Sequence, residues 1–308
     1  MIRLLKNRTF ILILAFVAGL TLSDLASYIG ALTMPALAVV LTVSSTQVSV
    51  KDFLPLTEIV RPVYLTLLLN FLLLGSLTLL LAWWLMPSWD LWVGFVLVAS
   101  SPPGIAVIPF TYILQGNLKL SLLGTFGVYL ISLLLTPALV YLLTGEAAVS
   151  PLQLVNTMML LILVPLILSQ VINIIKISSY IDKWRGDIIN WGFFVVIFTV
   201  VGLNQGVFLR QYDILVPVAL VAIMSSLVPY FSVELLGRKY NIAESERNSY
   251  ILLSTIKTSA FAAAVGLNLY GEAASIPGAV VSAWYALYFI FLGIKGDRRR
   301  RACGKARS

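Results

Sequence analysis

Residues 100–109 read SSPPGIAVIP and lie inside a long apolar segment. Pro102, Pro103, Gly104 and Pro109 fall within eight residues of this stretch. Each proline removes a backbone donor and clashes with the carbonyl one turn earlier, so an α-helix cannot run through them unbroken. In a bilayer, the freed backbone groups are tolerated only where they face protein or a water-filled cavity. The stretch therefore predicts a broken helix at membrane depth, as in the binding sites of secondary transporters. A proline-kinked packing helix is the alternative.

The composition places the chain among polytopic membrane proteins. Hydrophobic residues make up 60% of its 308 residues and charged residues only 11%, which is more apolar sequence than a soluble domain of this length carries. Cys303 is the one cysteine, so an intrachain disulfide is excluded. There is no histidine, the commonest metal ligand and neutral-pH general base. We therefore expect no cofactor, no metal site and no enzymatic activity.

Ten apolar segments are long enough to cross a bilayer. We predict spans at residues 10–29, 31–48, 62–86, 92–114, 120–143, 152–175, 188–209, 214–236, 249–270 and 277–294. A very short turn near residue 30 is expected to join the first two. Basic residues precede the first segment, as in a signal peptide, but no small-residue cleavage site follows it, so we keep it as a span.

The basic residues predict the orientation of these spans. If both termini are cytoplasmic, nineteen of the twenty-one Lys and Arg residues fall on the cytoplasmic side. Arg210 falls outside, and Lys257 lies within a span. This bias follows the positive-inside rule and favours an even number of spans in the plasma (inner) membrane. It also argues against nucleic acid as a partner, because the basic run at 298–301 suits topology or contact with anionic lipid.

The ten spans divide into two halves of five with opposite orientation, residues 1–146 and 151–296, followed by a basic tail at 297–308. Each half has an unusual helix in fourth place. In the second half this is the ninth span, which carries the polar stretch LSTIKTSA at 253–260. Matching interruptions in inverted halves indicate a binding site near the midplane. We therefore predict an all-α polytopic membrane protein in which the broken fourth and ninth helices cross.

Several motifs resemble the bile acid:sodium symporter family. Residues 101–104 (SPPG), 111–117 (TYILQGN) and 120–121 (LS) are similar to the family's pattern CPGGxxSNxxTYLAxGNxxLS in its fourth and fifth spans. Weaker similarity extends along most of the chain, including VKDF at 50–53. The resemblance implies a six-helix core that contains the two crossing helices, beside a four-helix panel. A substrate would enter the cleft between core and panel.

The departures from the family pattern concern its sodium sites. By resemblance, the family binds sodium through a Ser-Asn pair in the fourth span, where this chain has Val107 and Ile108. Leu253 stands where the family's ninth span has a glutamate, and Asn70 where its third span has a glutamine. Ser121 and one further fifth-span hydroxyl are retained. Because a hard cation such as sodium needs several oxygen ligands, we expect that an intact pair of sodium sites is absent.

Lys257 is the charged residue predicted deep inside a span, and the resemblance places it on the family's ninth-span glutamine. Ionisable residues at this depth are functional candidates by default. We predict that its ammonium replaces the cation and donates to Asn70, Ser121, Thr125 and backbone carbonyls of the broken helices. A lysine that snorkels from a shifted helix is the alternative. The remaining predicted binding residues are hydroxyls: Thr111, Ser254, Thr255 and Thr258.

These features predict a secondary transporter of a small organic anion, sodium-independent or proton-coupled. A sodium-coupled symporter with rearranged sites, or a passive channel or uniporter, is the alternative. An intramembrane enzyme is the weakest reading, because the chain offers no histidine and no carboxylate predicted deep in a span. The expected partners are the substrate and the lipid bilayer, and a homodimer is left open.

Overall fold

The computed structural model of the chain describes residues 8–46, 57–104, 106–145, 152, 156 and 159–305. The predicted boundary between the two halves, at 146–151, lies outside them. The helices are α1 (Arg8–Thr21), α2 (Ser23–Ile29), α3 (Thr33–Ser45), α4 (Thr57–Leu67), a π-helix (Leu68–Gly75), α5 (Ser76–Leu85), α6 (Trp89–Ser100), α7 (Val107–Ile113), α8 (Leu118–Thr144), a second π-helix (Met159–Leu163), α9 (Val164–Ile174), α10 (Ser178–Asp182), α11 (Arg185–Leu203), α12 (Gln205–Arg210), α13 (Tyr212–Lys239), α14 (Glu244–Thr255), α15 (Ser259–Leu269) and α16 (Glu272–Lys305).

The helices confirm an all-α polytopic membrane protein. Among the described residues, six are long and apolar enough to cross a membrane: Ser23–Ser45, Glu58–Leu85, Leu118–Thr144, Arg185–Leu203, Tyr212–Lys239 and Glu272–Gly293. Four shorter apolar helices accompany them: Phe10–Thr21, Trp89–Ser100, Val164–Ile174 and Ser259–Leu269. The count of ten spans and the inverted repeat stay predictions.

The predicted turn near residue 30 is wrong, because the chain reverses at Leu22. The helix interrupted there resumes at Ser23, and Gly30–Leu32 forms a 3-10 turn that leads directly into α3. Beyond the reversal, Ala26 faces Gly202 and Val40 faces Gly192, so α2 and α3 run antiparallel to α11. The physical reason is local. An acidic residue in the first turn of α2 favours a helix start at Ser23, whereas Gly30 has ordinary right-handed helical dihedrals.

Two helices are interrupted, and the two interrupted segments are in contact with each other. α6 ends at Ser100 and α7 begins at Val107, while α14 ends at Thr255 and α15 begins at Ser259. An isolated antiparallel bridge joins Pro103 to Lys257. In this bridge the Gly104 amide donates to the Ile256 carbonyl at 3.0 Å, and the Thr258 amide donates to the Pro102 carbonyl at 3.1 Å. Backbone groups freed by the two interruptions therefore satisfy one another, as an apolar surrounding requires.

The broken helices lie at the centre of the molecule. Every residue from 93 to 104 and from 248 to 266 is buried. Helix Glu272–Gly293 packs against them, and 69% of its apolar window is buried, compared with 33% for Ser23–Ser45. The outer helices leave large apolar side chains exposed, as membrane-facing helices do. The two breaks are thus enclosed by protein on all sides.

Candidate functional site

The side chain of Lys257, which belongs to the second break, reaches the backbone of the first break at the end of α6. Its Nζ atom donates to the Ala99 carbonyl at 2.7 Å and to the Ser101 carbonyl at 2.8 Å. It also lies 4.2 Å from the centroid of the Phe71 ring, in the range of a cation–π interaction. The residue is 2% exposed. We call the two carbonyls and the ring that surround Nζ the ammonium cage.

The proline pair explains why these carbonyls are available. In a continuous helix the carbonyls of Val98 and Ala99 would accept from the amides of residues 102 and 103, but prolines have no amide hydrogen. The Val98 carbonyl instead accepts from the amide and the hydroxyl of Ser101, at 3.2 and 2.8 Å. The Ala99 carbonyl accepts from Lys257. The last carbonyls of a helix also carry partial negative charge, which favours a cation at this position.

Side chains from other helices fix the backbone of the second break. The amide of Asn70 donates to the carbonyls of Leu253 and Ile256, at 3.0 and 3.3 Å. The backbone amide of Lys257 donates to the Tyr285 hydroxyl at 2.9 Å. Because α14 stops at Thr255, these groups have lost their helical partners, and the two side chains replace them.

Thr258 ties the second break to the first. Its Oγ1 lies 3.0 Å from the Pro102 carbonyl and 2.9 Å from the Pro103 carbonyl. The hydroxyl of Tyr129 lies 3.2 Å from the same Oγ1 atom. A glycine completes the contact, since a Cβ atom on Gly104 would lie 2.9 Å from the Lys257 carbonyl.

The predicted partners of the lysine ammonium are partly wrong. Nζ does donate to carbonyls of a broken helix, but its hydrogen bonds go to neither Asn70, Ser121 nor Thr125. Asn70 is occupied as a donor to the second break, and the hydroxyls of Thr111 and Ser121 bond to each other at 2.8 Å. Two buried acceptors among the predicted partners, Asn70 Oδ1 and Thr125 Oγ1, have no hydrogen-bond partner in the described part of the chain.

Other predicted site residues lie close to the breaks in sequence without joining them. Ser254 and Thr255 both donate to the Ile251 carbonyl of their own helix, at 3.0 and 2.7 Å. The first break also ends earlier than Pro109, because α7 begins at Val107. A proline is tolerated in the first turn of a helix, where its missing amide has no partner to lose.

A small apolar cavity of about 50 Å³ lies beside the second break. Leu12, Phe193 and Ile197, from α1 and α11, line one wall. Lys257, Thr258, Ser259 and Ser282 contribute to the other, where the hydroxyls of Ser259 and Ser282 lie 2.9 Å apart. A volume of this size holds only about one to three waters. A larger molecule would fit only if α1 and α11 separated from the broken helices.

Lys257 has no carboxylate beside it in the described part of the chain. Among the residues whose burial the structure describes, two charged side chains are buried, Lys257 and Glu234. Glu234 forms ion pairs with Arg238 at 2.7 Å and with Arg247 at 3.4 Å. No ion pair of Lys257 is found within the described residues, where its partners are neutral. A protonated Lys257 would therefore have no acidic group beside it to neutralise its charge.

Three contributors to this site were not predicted as site residues. Phe71 and Tyr285 contact Lys257, and Tyr129 contacts Thr258. No charge or turn signal distinguishes these aromatic residues from the others in the chain. The free carbonyl of Ala99, in contrast, could have been predicted from the position of Pro103.

More than half of the chain is similar to a known protein family. Residues 34–208 match the family model of the sodium bile acid symporter family, which is more than half of the chain. The matched region contains the first break and Asn70 but ends before Lys257. No curated protein sequence matches the chain. The chain belongs to the sodium bile acid symporter family.

Proposed function

We propose that this protein is a secondary transporter that carries a small organic anion without sodium. The observation that carries the proposal is the position of the Lys257 ammonium on the carbonyls at the end of α6. The partial negative charge of these carbonyls attracts positive charge, and Nζ already occupies them. Val107, Ile108 and Leu253 offer no side-chain oxygen at positions where the family resemblance expects one. A fixed positive charge thus replaces an exchangeable ion.

Charge and surface chemistry support an organic anion as the substrate. Lys257 lines the cavity and has no counter-ion in the described part of the chain. Since buried charge is poorly screened, it favours a negative group nearby. α15 begins at Ser259 on the cavity wall, and the start of a helix also favours negative charge. The opposite wall is apolar, which suits an organic body attached to the anionic group.

A rearranged sodium site is the second candidate. It rests on the buried Oδ1 of Asn70 and Oγ1 of Thr125, which accept no hydrogen bond in the described residues. Two oxygens are fewer than a hard cation usually takes from a protein. Thermal stabilisation by sodium that choline, lithium and potassium do not reproduce would favour this candidate.

We propose that ten spans form two inverted halves with both termini cytoplasmic. The six long and four shorter apolar helices support the count, and the basic residues support the orientation. The tail contains Cys303, the single cysteine of the chain, which a thiol reagent can label. In intact cells, a membrane-impermeant thiol reagent should modify Ala147→Cys in a Cys303→Ser background but leave Cys303 of the wild type unmodified. Labelling of both from the same side would contradict the topology.

The proposed function is tested by uptake of a panel of carboxylates into proteoliposomes. We expect at least one to accumulate equally well when choline replaces sodium. A response to an imposed pH gradient would identify proton coupling. Uptake that follows the membrane potential alone would identify a uniporter. Uptake that requires sodium would contradict the proposal.

A further inference from the structure

The helix that contains Asn70 has an irregularity at the level of the breaks. Leu68–Gly75 is π-helical and is continuous with α4 before it and α5 after it. In an α-helix, side chains at adjacent positions do not face the same neighbour. Here the adjacent residues Asn70 and Phe71 both reach the second break, one through its amide and the other through its ring. Such π-segments are frequent at functional sites.

Gly75 allows this π-helix to approach α6 closely. A Cβ atom at Gly75 would lie 3.2 Å from the Ala99 carbonyl oxygen and 4.0 Å from Lys257 Nζ. The glycine therefore stands beside the ammonium cage, on the same segment as Phe71. The cage is thus built by two elements, the broken end of α6 and the π-helix.

We propose that the ammonium cage is a binding site for a primary alkylammonium group, which Lys257 fills from within the chain. Two carbonyl oxygens accept N–H donors, and the face of Phe71 accepts the remaining positive charge. Sodium has no N–H groups, and two oxygens and a ring do not supply the oxygen shell that a hard cation takes. When the lysine is shortened, the cage should bind a free alkylammonium ion and reject sodium.

The test uses Lys257→Ala and propylammonium. The substitution removes three carbons and the nitrogen, and propylammonium contains the same atoms. We expect propylammonium to raise the Tm of the purified variant, whereas equal concentrations of sodium, choline or 1-propanol should not. The wild type should show no such shift, because its cage is filled. Lys119→Ala is the matched control, since Lys119 forms an exposed ion pair with Glu58.

Phe71 tests the aromatic wall of the cage. In the Lys257→Ala background, Phe71→Tyr should keep the propylammonium shift and Phe71→Leu should reduce it. If Lys257→Ala is unstable without the amine, it can be purified in propylammonium. Exchange into sodium should then shorten its lifetime in detergent, compared with exchange into fresh propylammonium.

A second measurement does not depend on Lys257→Ala. Phe71→Leu should lower the Tm of the wild type more than that of Lys257→Met, because the latter has no ammonium over the ring. Equal losses in the two backgrounds would overturn the proposal, as would equal effects of sodium and propylammonium on Lys257→Ala. The inference concerns the same lysine as the proposed function, but its readout is stability. Its failure would therefore leave the transport proposal to be judged by uptake alone.

Discussion

The two helices that cross are interrupted for different physical reasons. The first break contains Pro102, Pro103 and Gly104, so its covalent structure alone prevents a continuous helix. The second contains Ile256, Lys257 and Thr258, none of which is a helix breaker. Ile256 and Thr258 adopt non-helical dihedrals although both residue types occur within helices. A break that is forced by covalent structure therefore positions one that is not.

The second break depends on contacts made by other parts of the chain. Asn70, Tyr285 and the first break supply the hydrogen bonds that its backbone would otherwise make within a helix. A buried backbone group without a partner costs about 1–3 kcal/mol. Removal of these contacts should thus affect the second break, whereas the first should keep its shape. The following substitutions test this difference.

The largest effect is expected where the breaks touch. A Cβ atom at Gly104 would lie 2.6 Å from Ile256 Cγ2 and 2.9 Å from the Lys257 carbonyl oxygen. Because a backbone atom cannot move aside easily, Gly104→Ala should cost about 3 kcal/mol and lower the Tm in detergent. Gly186→Ala is the control, since nothing lies within 4 Å of its Cβ position. A wild-type Tm for Gly104→Ala would show that the breaks are not in contact.

A smaller loss is expected from Asn70→Leu. The substitution leaves the carbonyl of Leu253 without the donor that it has in the wild type, at a cost of about 2 kcal/mol. Asn268→Leu is a suitable control, because its amide donates to Ala264 within its own helix. Thermal unfolding of the two variants should therefore differ. Equal stabilities would mean that the second break holds its shape without Asn70.

The smallest effect is expected from Tyr285→Phe. It removes the acceptor of the Lys257 backbone amide and keeps the packing of the ring, so we expect a loss of about 1 kcal/mol. The exposed Tyr212 provides the matched substitution, Tyr212→Phe, which should leave the Tm unchanged. If the two variants unfolded at the same temperature, the bond from Tyr285 would contribute nothing to the second break.

The sequence predicts the two breaks unequally. Three prolines and a glycine indicate the first, and the polar stretch around Lys257 indicates the second, but nothing in that stretch shows which groups hold it open. The contacts of Asn70, Tyr285 and Phe71 come from distant parts of the chain. A π-helix also has no sequence signature comparable to a proline. The reversal at Leu22 is not indicated by the sequence, because the apolar segment that begins near residue 10 continues past it to the predicted turn near residue 30.

The structure confirms that Lys257 is buried where the two breaks meet, but its predicted partners are partly wrong. Its role in function stays a prediction. A charge inside an apolar span is visible in the sequence, so Lys257 could be identified. Its acceptors are the carbonyls of Ala99 and Ser101 together with one ring. Side-chain identities do not show which carbonyls are free, except where a proline follows at the correct spacing. The prediction therefore assigned to side chains such as Ser121 the role of acceptor for Lys257, which backbone carbonyls perform.

We have proposed that Lys257 serves as a tethered cation in an organic-anion transporter. The decisive measurement is uptake of an accepted carboxylate into proteoliposomes that contain either wild-type protein or Lys257→Met, in sodium and in choline. Methionine keeps most of the apolar stem and removes the charge and its donors. We predict equal uptake by the wild type in both salts, and loss of uptake by Lys257→Met that remains folded and monodisperse. Sodium-dependent uptake by the wild type, or normal uptake by Lys257→Met, would show that Lys257 does not replace the transported cation.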